Sequence, residues 1–105
     1  MAYDYMFNFQ SLNITKSFIC ASGITSEKGV SDYNMEEAIT RKKILEISNQ
    51  IFIAADSSKF GRDVTVGICP IDKIDYIVTD SSVNKNTLAA FKKLRCKLIF
   101  ADQPI

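Results

Sequence analysis

The sequence contains no histidine. That absence removes the commonest general base and metal ligand, and with it any serine–histidine triad. Catalysis by this chain would have to rest on Asp, Glu, Lys, Tyr or Cys. Cysteine is scarce as well. Cys20, Cys69 and Cys96 are widely spaced, and no pair stands at a CxxC interval, so no metal site is expected. Free buried thiols in a reducing cytoplasm are the expectation. An excess of charge of one sign is also missing: 13 basic residues face 12 acidic ones, for a net charge of +1. Such a balance leaves no electrostatic footprint for nucleic acid. No apolar run is long enough to span a membrane. Met1 is not followed by a charged and then an apolar leader segment, so a cytoplasmic location is expected. The phosphate loop GxxxxGK, the dinucleotide fingerprint GxGxxG and the elbow GxSxG are all absent, and no cofactor is expected.

At 105 residues and 47% apolar content, the chain is expected to form a single domain spanning 1–105 with a modest core. Its most informative stretch is Ile51-Phe-Ile-Ala-Ala-Asp-Ser-Ser-Lys-Phe-Gly-Arg62. Five apolar residues end abruptly in a carboxylate, two hydroxyls, a lysine, a glycine and an arginine. A short apolar run bounded by turn residues suits a strand buried on both faces of a parallel sheet. Polar residues at the carboxyl end of such a strand lie where open α/β sheets place their ligands.

Other segments follow the same grammar. Ser17–Ala21 reads as a buried strand that Ser22–Thr25 breaks, with a loop over Glu27–Asn34. Asn34 is an N-cap candidate, and Glu37 three residues on completes a capping-box pattern, which predicts a helix over 35–48. Met35, Ala38, Ile39 and Leu45 fall on one face of that helix, and Lys42 falls on the same face. A lysine there either snorkels to the edge or points into a pocket. Glu37 and Arg41 are spaced to pair on the helix surface. Val64–Cys69, Asp75–Asp80 and Leu98–Ala101 read as further strands. Leu88, Phe91 and Leu94 stripe a second helix capped from Ser81, Ser82 or Asn84. Tyr3, Tyr5, Phe7 and Phe9 alternate in a segment that fits a short strand or helix-flanking packing. Asp102–Ile105 reads as a trailing end.

Alternating strands and helices with buried strands predict an α/β fold with a mostly parallel sheet and flanking helices. Polar groups then gather at the carboxyl ends: Ser22–Thr25, Asp56–Lys59 and Thr79–Ser82. Lysine, hydroxyls and a glycine-bearing turn suit a small anionic, hydroxylated ligand. Lys59 would meet a phosphate or carboxylate as a point charge, and Asp56 or Asp80 would accept from sugar hydroxyls.

Phe18-Ile-Cys-Ala-Ser-Gly-Ile24, Gly29, Glu37-Ala38, Ala55-Asp-Ser-Ser-Lys-Phe-Gly-Arg62 and Asp75-Tyr-Ile-Val-Thr-Asp80 together resemble the sensor domain of DeoR-type repressors. The resemblance covers residues 17 to 80, and its specific part is the ADSSKFGR run. It implies a domain that senses a phosphorylated sugar in a repressor of sugar catabolism. It implies a fold similar to ribose-5-phosphate isomerase, glucosamine-6-phosphate deaminase and coenzyme A transferases. It also implies that the chain is the C-terminal part of a longer homo-oligomeric repressor, touching DNA only through an N-terminal domain absent here. The effector contacts implied are Lys59, Asp56, Thr25, Gly23, Glu37 and Arg41, with Arg41 a second candidate for phosphate.

Laid over the isomerase helix L-R-E-K-I, Thr40-Arg-Lys-Lys-Ile44 puts Lys42 where the isomerase carries its catalytic glutamate, and Lys59 where it binds substrate. A lysine is no carboxylate base at neutral pH unless its pKa is strongly lowered. The resemblance therefore implies retained binding without proton abstraction, and no enzymatic activity. The alternatives are an aldose–ketose isomerase with Glu37 as base, and a structural or oligomerisation domain in which Asp56 and Lys59 merely pair.

Overall fold

A computed structural model of the chain describes residues 14–102; the aromatic alternation at Tyr3–Phe9 and the end at Gln103–Ile105 lie outside them. The elements run β1 (Ile14–Cys20), β2 (Gly23–Thr25), β3 (Gly29–Asp32), α1 (Met35–Glu46), β4 (Ser48–Ala54), β5 (Val66–Cys69), β6 (Tyr76–Thr79), α2 (Lys85–Lys92) and β7 (Lys97–Phe100). Short 3-10 turns cover Ser57–Lys59 and Ile71–Lys73.

Four strands form the expected parallel sheet, in the order β1-β4-β6-β7. All three of its ladders are parallel. Asn34 caps α1 by accepting from the backbone N–H of Glu37 at 3.1 Å, as the capping pattern predicts. Of the two serines and one asparagine offered for α2, Asn84 is the cap, accepting from the N–H of Asn86 at 2.8 Å.

Three expectations are corrected. The break and loop after β1 hold two strands; β2 pairs antiparallel with β3, and β3 with β5, in a separate three-stranded sheet, β2-β3-β5. Their pattern is hidden because all four residues of β3 are buried, Ser31 and Asp32 included. Those polar groups are satisfied inside: Ser31 Oγ accepts from the N–H of Val64 at 3.0 Å, and Asp32 pairs with Arg41. Second, β5 leaves the parallel sheet for this smaller one. Third, the predicted apolar face of α1 is only half used. Ala38 and Leu45 are buried, whereas Met35 and Ile39 are exposed.

The core lies between the two sheets and the helices. Ile19, Ile51, Ile53 and Ile77 enter it from alternate positions of the parallel strands and meet Ile24, Val30, Ala38, Leu45 and Phe91. Phe91 packs edge-on against Phe60, with ring centroids 5.2 Å apart. The opposite face of the parallel sheet carries a column of rings. Phe18, Phe52 and Tyr76 are register partners on β1, β4 and β6. Their centroids stack at successive intervals of 4.6 Å, and Phe18 is 70% exposed. Cys20 follows on that face and is exposed, so the expectation of three buried thiols holds only for Cys69 and Cys96. The buried strand expected over Ser17–Ala21 is exposed on one face, where Phe18 and Cys20 lie.

Candidate functional site

A cleft of about 510 Å³ opens at the carboxyl ends of the parallel strands. Ala21, Ala55, Asp56, Lys59, Thr79, Asp80 and Asp102 line it. Three neighbouring strands are each followed within two residues by a carboxylate: Asp56 follows β4, Asp80 follows β6 and Asp102 follows β7. Each has a distinct backbone task. Asp56 caps the 3-10 turn, accepting from the N–H of Ser58 at 2.8 Å and from the Ser58 hydroxyl. Asp80 accepts from the N–H of Ser57 and from the N–H of Ser82, both at 2.9 Å. Asp102 accepts from the N–H of Ser81 at 3.1 Å and from its hydroxyl at 2.7 Å. The loops after three strands are thus tied to one another in series.

These bonds set the ionisation of the three acids. The Ser58 hydroxyl, then its N–H, holds the Asp56 carboxyl below its ordinary value. The N–H groups of Ser57 and then Ser82 do so for Asp80, and the Ser81 hydroxyl does so for Asp102. A charge-favouring hydrogen bond lowers a carboxyl pKa because it is lost on protonation. Among the described residues lining the cleft, Lys59 is the cation. Its Nζ stands 3.7 Å from Asp56 Oδ2 and 3.5 Å from Ser58 Oγ.

Of the six residues expected to contact an effector, Asp56 and Lys59 line this cleft. Gly23 lies beneath the Lys59 loop: a Cβ there would stand 2.4 Å from the Arg62 carbonyl oxygen. Beside it, the Gly61 N–H donates to the Ile24 carbonyl at 2.8 Å, tying that loop to β2. Thr25 turns its hydroxyl to the β2–β3 turn, accepting from the N–H of Lys28 at 3.0 Å. Glu37 is exposed on the first turn of α1, 3.9 Å from Arg41.

Arg41 pairs with the buried carboxylate of Asp32 and donates to the Cys20 carbonyl at 3.1 Å. Asp32 also accepts from the Ser22 hydroxyl at 3.1 Å and from the N–H of Tyr33 at 2.7 Å. The guanidinium therefore braces the end of β1 behind the cleft. Lys42, which the isomerase comparison sets at the lost catalytic position, is not among the residues lining this cleft. Lys42 is exposed and lines a groove with Ser48, Asn49 and Asp75, at the amino ends of β4 and β6.

Thr79 and Asp80 fall within the expected Thr79–Ser82 group, whereas Asp102 is a charged cleft residue that no expected group included. A signal for Asp102 was present: an apolar run followed by an aspartate recurs at Asp56, Asp80 and Asp102.

Residues 4–81 match the DeoR C terminal sensor domain, and the chain belongs to that family. Its parallel sheet with flanking helices agrees with that sensor fold. Similar proteins are transcriptional regulators. The chain is 33% identical over 60 residues to the glycerol-3-phosphate regulon repressor of Escherichia coli, covering 57% of this chain and 24% of that protein. It is 30% identical over 77 residues to the L-fucose operon activator of Haemophilus influenzae, covering 73% of this chain and 31% of that protein. It is 32% identical over 72 residues to the HTH-type transcriptional regulator IolR of Bacillus subtilis, covering 69% and 29%. The chain spans about a third of the length of the first curated relatives it matches. Among the described residues, no helix is long and apolar enough to cross a membrane.

Proposed function

We propose that this chain is the effector-binding part of a cytoplasmic regulator of sugar catabolism, and that its effector is a phosphorylated sugar. The observation that carries this reading is the meeting of Lys59 with the carboxylates Asp56 and Asp80 in a cleft at the carboxyl ends of parallel strands. Open α/β sheets bind ligands at that edge. A point cation suits phosphate, and carboxylates suit sugar hydroxyls as acceptors.

The charge balance gives the ligand a direction. Three carboxylates and one ammonium line the cleft, so an anion is favoured only beside Lys59. The phosphate belongs at that side and the hydroxylated end deeper in. Regulation then requires the sugar phosphate to bind two conformations of the regulator unequally. Contact with DNA belongs to a domain outside this chain, and assembly into a homo-oligomer is part of the same reading. Proton abstraction is not: the helix position at which an isomerase would carry its glutamate holds Lys42, which lines a different groove.

The test is thermal unfolding with glycerol 3-phosphate, ribose 5-phosphate and fructose 6-phosphate. A ligand at a hundredfold excess over its Kd stabilises by about 2.7 kcal/mol. At least one of these should raise the Tm of the wild type, and the rise should vanish in Lys59→Ala. An equal rise in both proteins would sink the role of Lys59. No rise with any of them in the wild type would sink the sensor reading.

A further inference from the structure

Thr79 ends β6 and is only 4% exposed. Its Oγ1 is buried and has no hydrogen-bond partner among the described residues. The other buried polar side chains do better: Ser17 bonds Ser48, Ser31 bonds Val64 and Asp32 pairs with Arg41. A buried hydroxyl without a partner is unusual enough to need a cause. An isosteric valine would avoid the cost.

The position of Thr79 supplies that cause. It lines the carboxyl-end cleft together with Ala55, Lys59 and Asp80. The acids around it are already engaged with backbone N–H groups: Asp56 with Ser58, Asp80 with Ser57 and Ser82, and Asp102 with Ser81. Thr79 lines the cleft, and its buried hydroxyl is the side-chain polar atom left without a partner among the described residues. One step about Cα–Cβ exchanges the hydroxyl and methyl positions of a threonine, and more than one rotamer is common in strands.

We propose that Thr79 is a ligand-binding residue whose hydroxyl pairs with a hydroxyl of the phosphorylated sugar, a reading that rests on the sensor function proposed above. A threonine hydroxyl both donates and accepts, so it recognises an alcohol and needs no charge on the ligand. It separates a phosphorylated polyol from inorganic phosphate, which Lys59 alone cannot do.

The experiment compares the wild type, Thr79→Val and Thr79→Ser. Each is unfolded without ligand, then titrated calorimetrically with glycerol 3-phosphate, ribose 5-phosphate, fructose 6-phosphate and inorganic phosphate. The expected result has three parts. Unliganded Thr79→Val melts at or above the wild type. Its affinity for the sugar phosphate that binds the wild type falls roughly fivefold, as for one lost hydrogen bond. Thr79→Ser keeps that affinity, and inorganic phosphate distinguishes none of the three. A Thr79→Val protein that fails to fold, or melts well below the wild type, gives the hydroxyl a structural partner and overturns the proposal. Equal sugar-phosphate affinity in the wild type and Thr79→Val overturns it while leaving the sensor reading intact. Absence of binding by the wild type to every sugar phosphate overturns both.

Discussion

The carboxylate of Asp80 holds the backbone N–H of Ser57 at 2.9 Å, across from the strand it ends to the loop of its neighbour. Its other oxygen holds Ser82 in its own loop. One side chain thereby fixes where the Ser57–Lys59 turn sits, and so where the Lys59 ammonium is presented. Asp80 acts on the proposed phosphate position without touching it.

That arrangement makes the fold sensitive to acid. The ordinary carboxyl value for Asp80 is 3.8, and the Ser57 and Ser82 N–H groups pull the folded value below it. A depressed folded pKa means stability that is present above the unfolded value and lost as pH falls through the folded one. Asp56 and Asp102 shift in the same direction. Tm should therefore be flat from neutral pH to about pH 5 and fall below about pH 4. Asp80→Asn should melt lower at neutral pH and lose part of the acid-induced fall. A calorimetric Tm series across that range checks both, and identical curves for the two proteins would contradict the account.

Arg41 should prove structural in its own right. Its partner Asp32 is 5% exposed at the side chain, while Arg41 is 29% exposed. Removing one member of a buried pair strands the other. Solvent reaches the arginine side here, so Arg41→Ala should cost about 3 kcal/mol, at the low end for such pairs. The double change Arg41→Met with Asp32→Asn should cost less than Arg41→Ala alone. Urea unfolding of both variants measures the difference.

Gly23 supports the Lys59 loop by having no side chain. A Cβ there meets the Arg62 carbonyl oxygen at 2.4 Å, and a backbone atom cannot swing aside. Gly23→Ala should destabilise by about 1–3 kcal/mol and weaken the sugar-phosphate response through the displaced loop. Gly67→Ala is the control, since a Cβ there has no atom within 4 Å.

The three cysteines should separate by reactivity. Burial pushes the Cys69 thiol up to about 11 and raises Cys96 as well, so both stay protonated near neutral pH. Thiolate is the reacting form. Cys20 is exposed. A thiol-reactive chromophore should show one fast site in the native protein, abolished in Cys20→Ser, with the remaining two reacting at the pace of unfolding.

The parallel strands and both helices could be read from the chain, because short apolar runs and capping residues are local signals. Asn34 and Asn84 cap as such residues should. The small antiparallel sheet could not. Its β2 and β3 are three and four residues long, and a buried Asp32 looks like a loop residue until its partner Arg41 is known. At the site, Asp56 and Lys59 were legible from the strand-end rule. Thr25, Glu37 and Arg41 were grouped with them by linear resemblance; they do not line the cleft, although Arg41 donates to the carbonyl of Cys20, which does. Asp102 was obscured because the chain's last residues carry no pattern after it. Cys20 was misjudged because the general tendency of free thiols to be buried does not say which face of a strand a residue takes.

The ring column on the open sheet face has a consequence for handling the protein. In parallel strands in register, Phe18, Phe52 and Tyr76 sit one strand spacing apart, which makes a continuous oily stripe across the strands. Salts excluded from protein surfaces strengthen apolar association. Sulfate should therefore act on this chain in two opposing ways, raising its melting temperature while lowering the concentration at which it stays dispersed. Phe18, the most exposed of the three rings, is the position whose replacement by a polar residue would most relax that second effect.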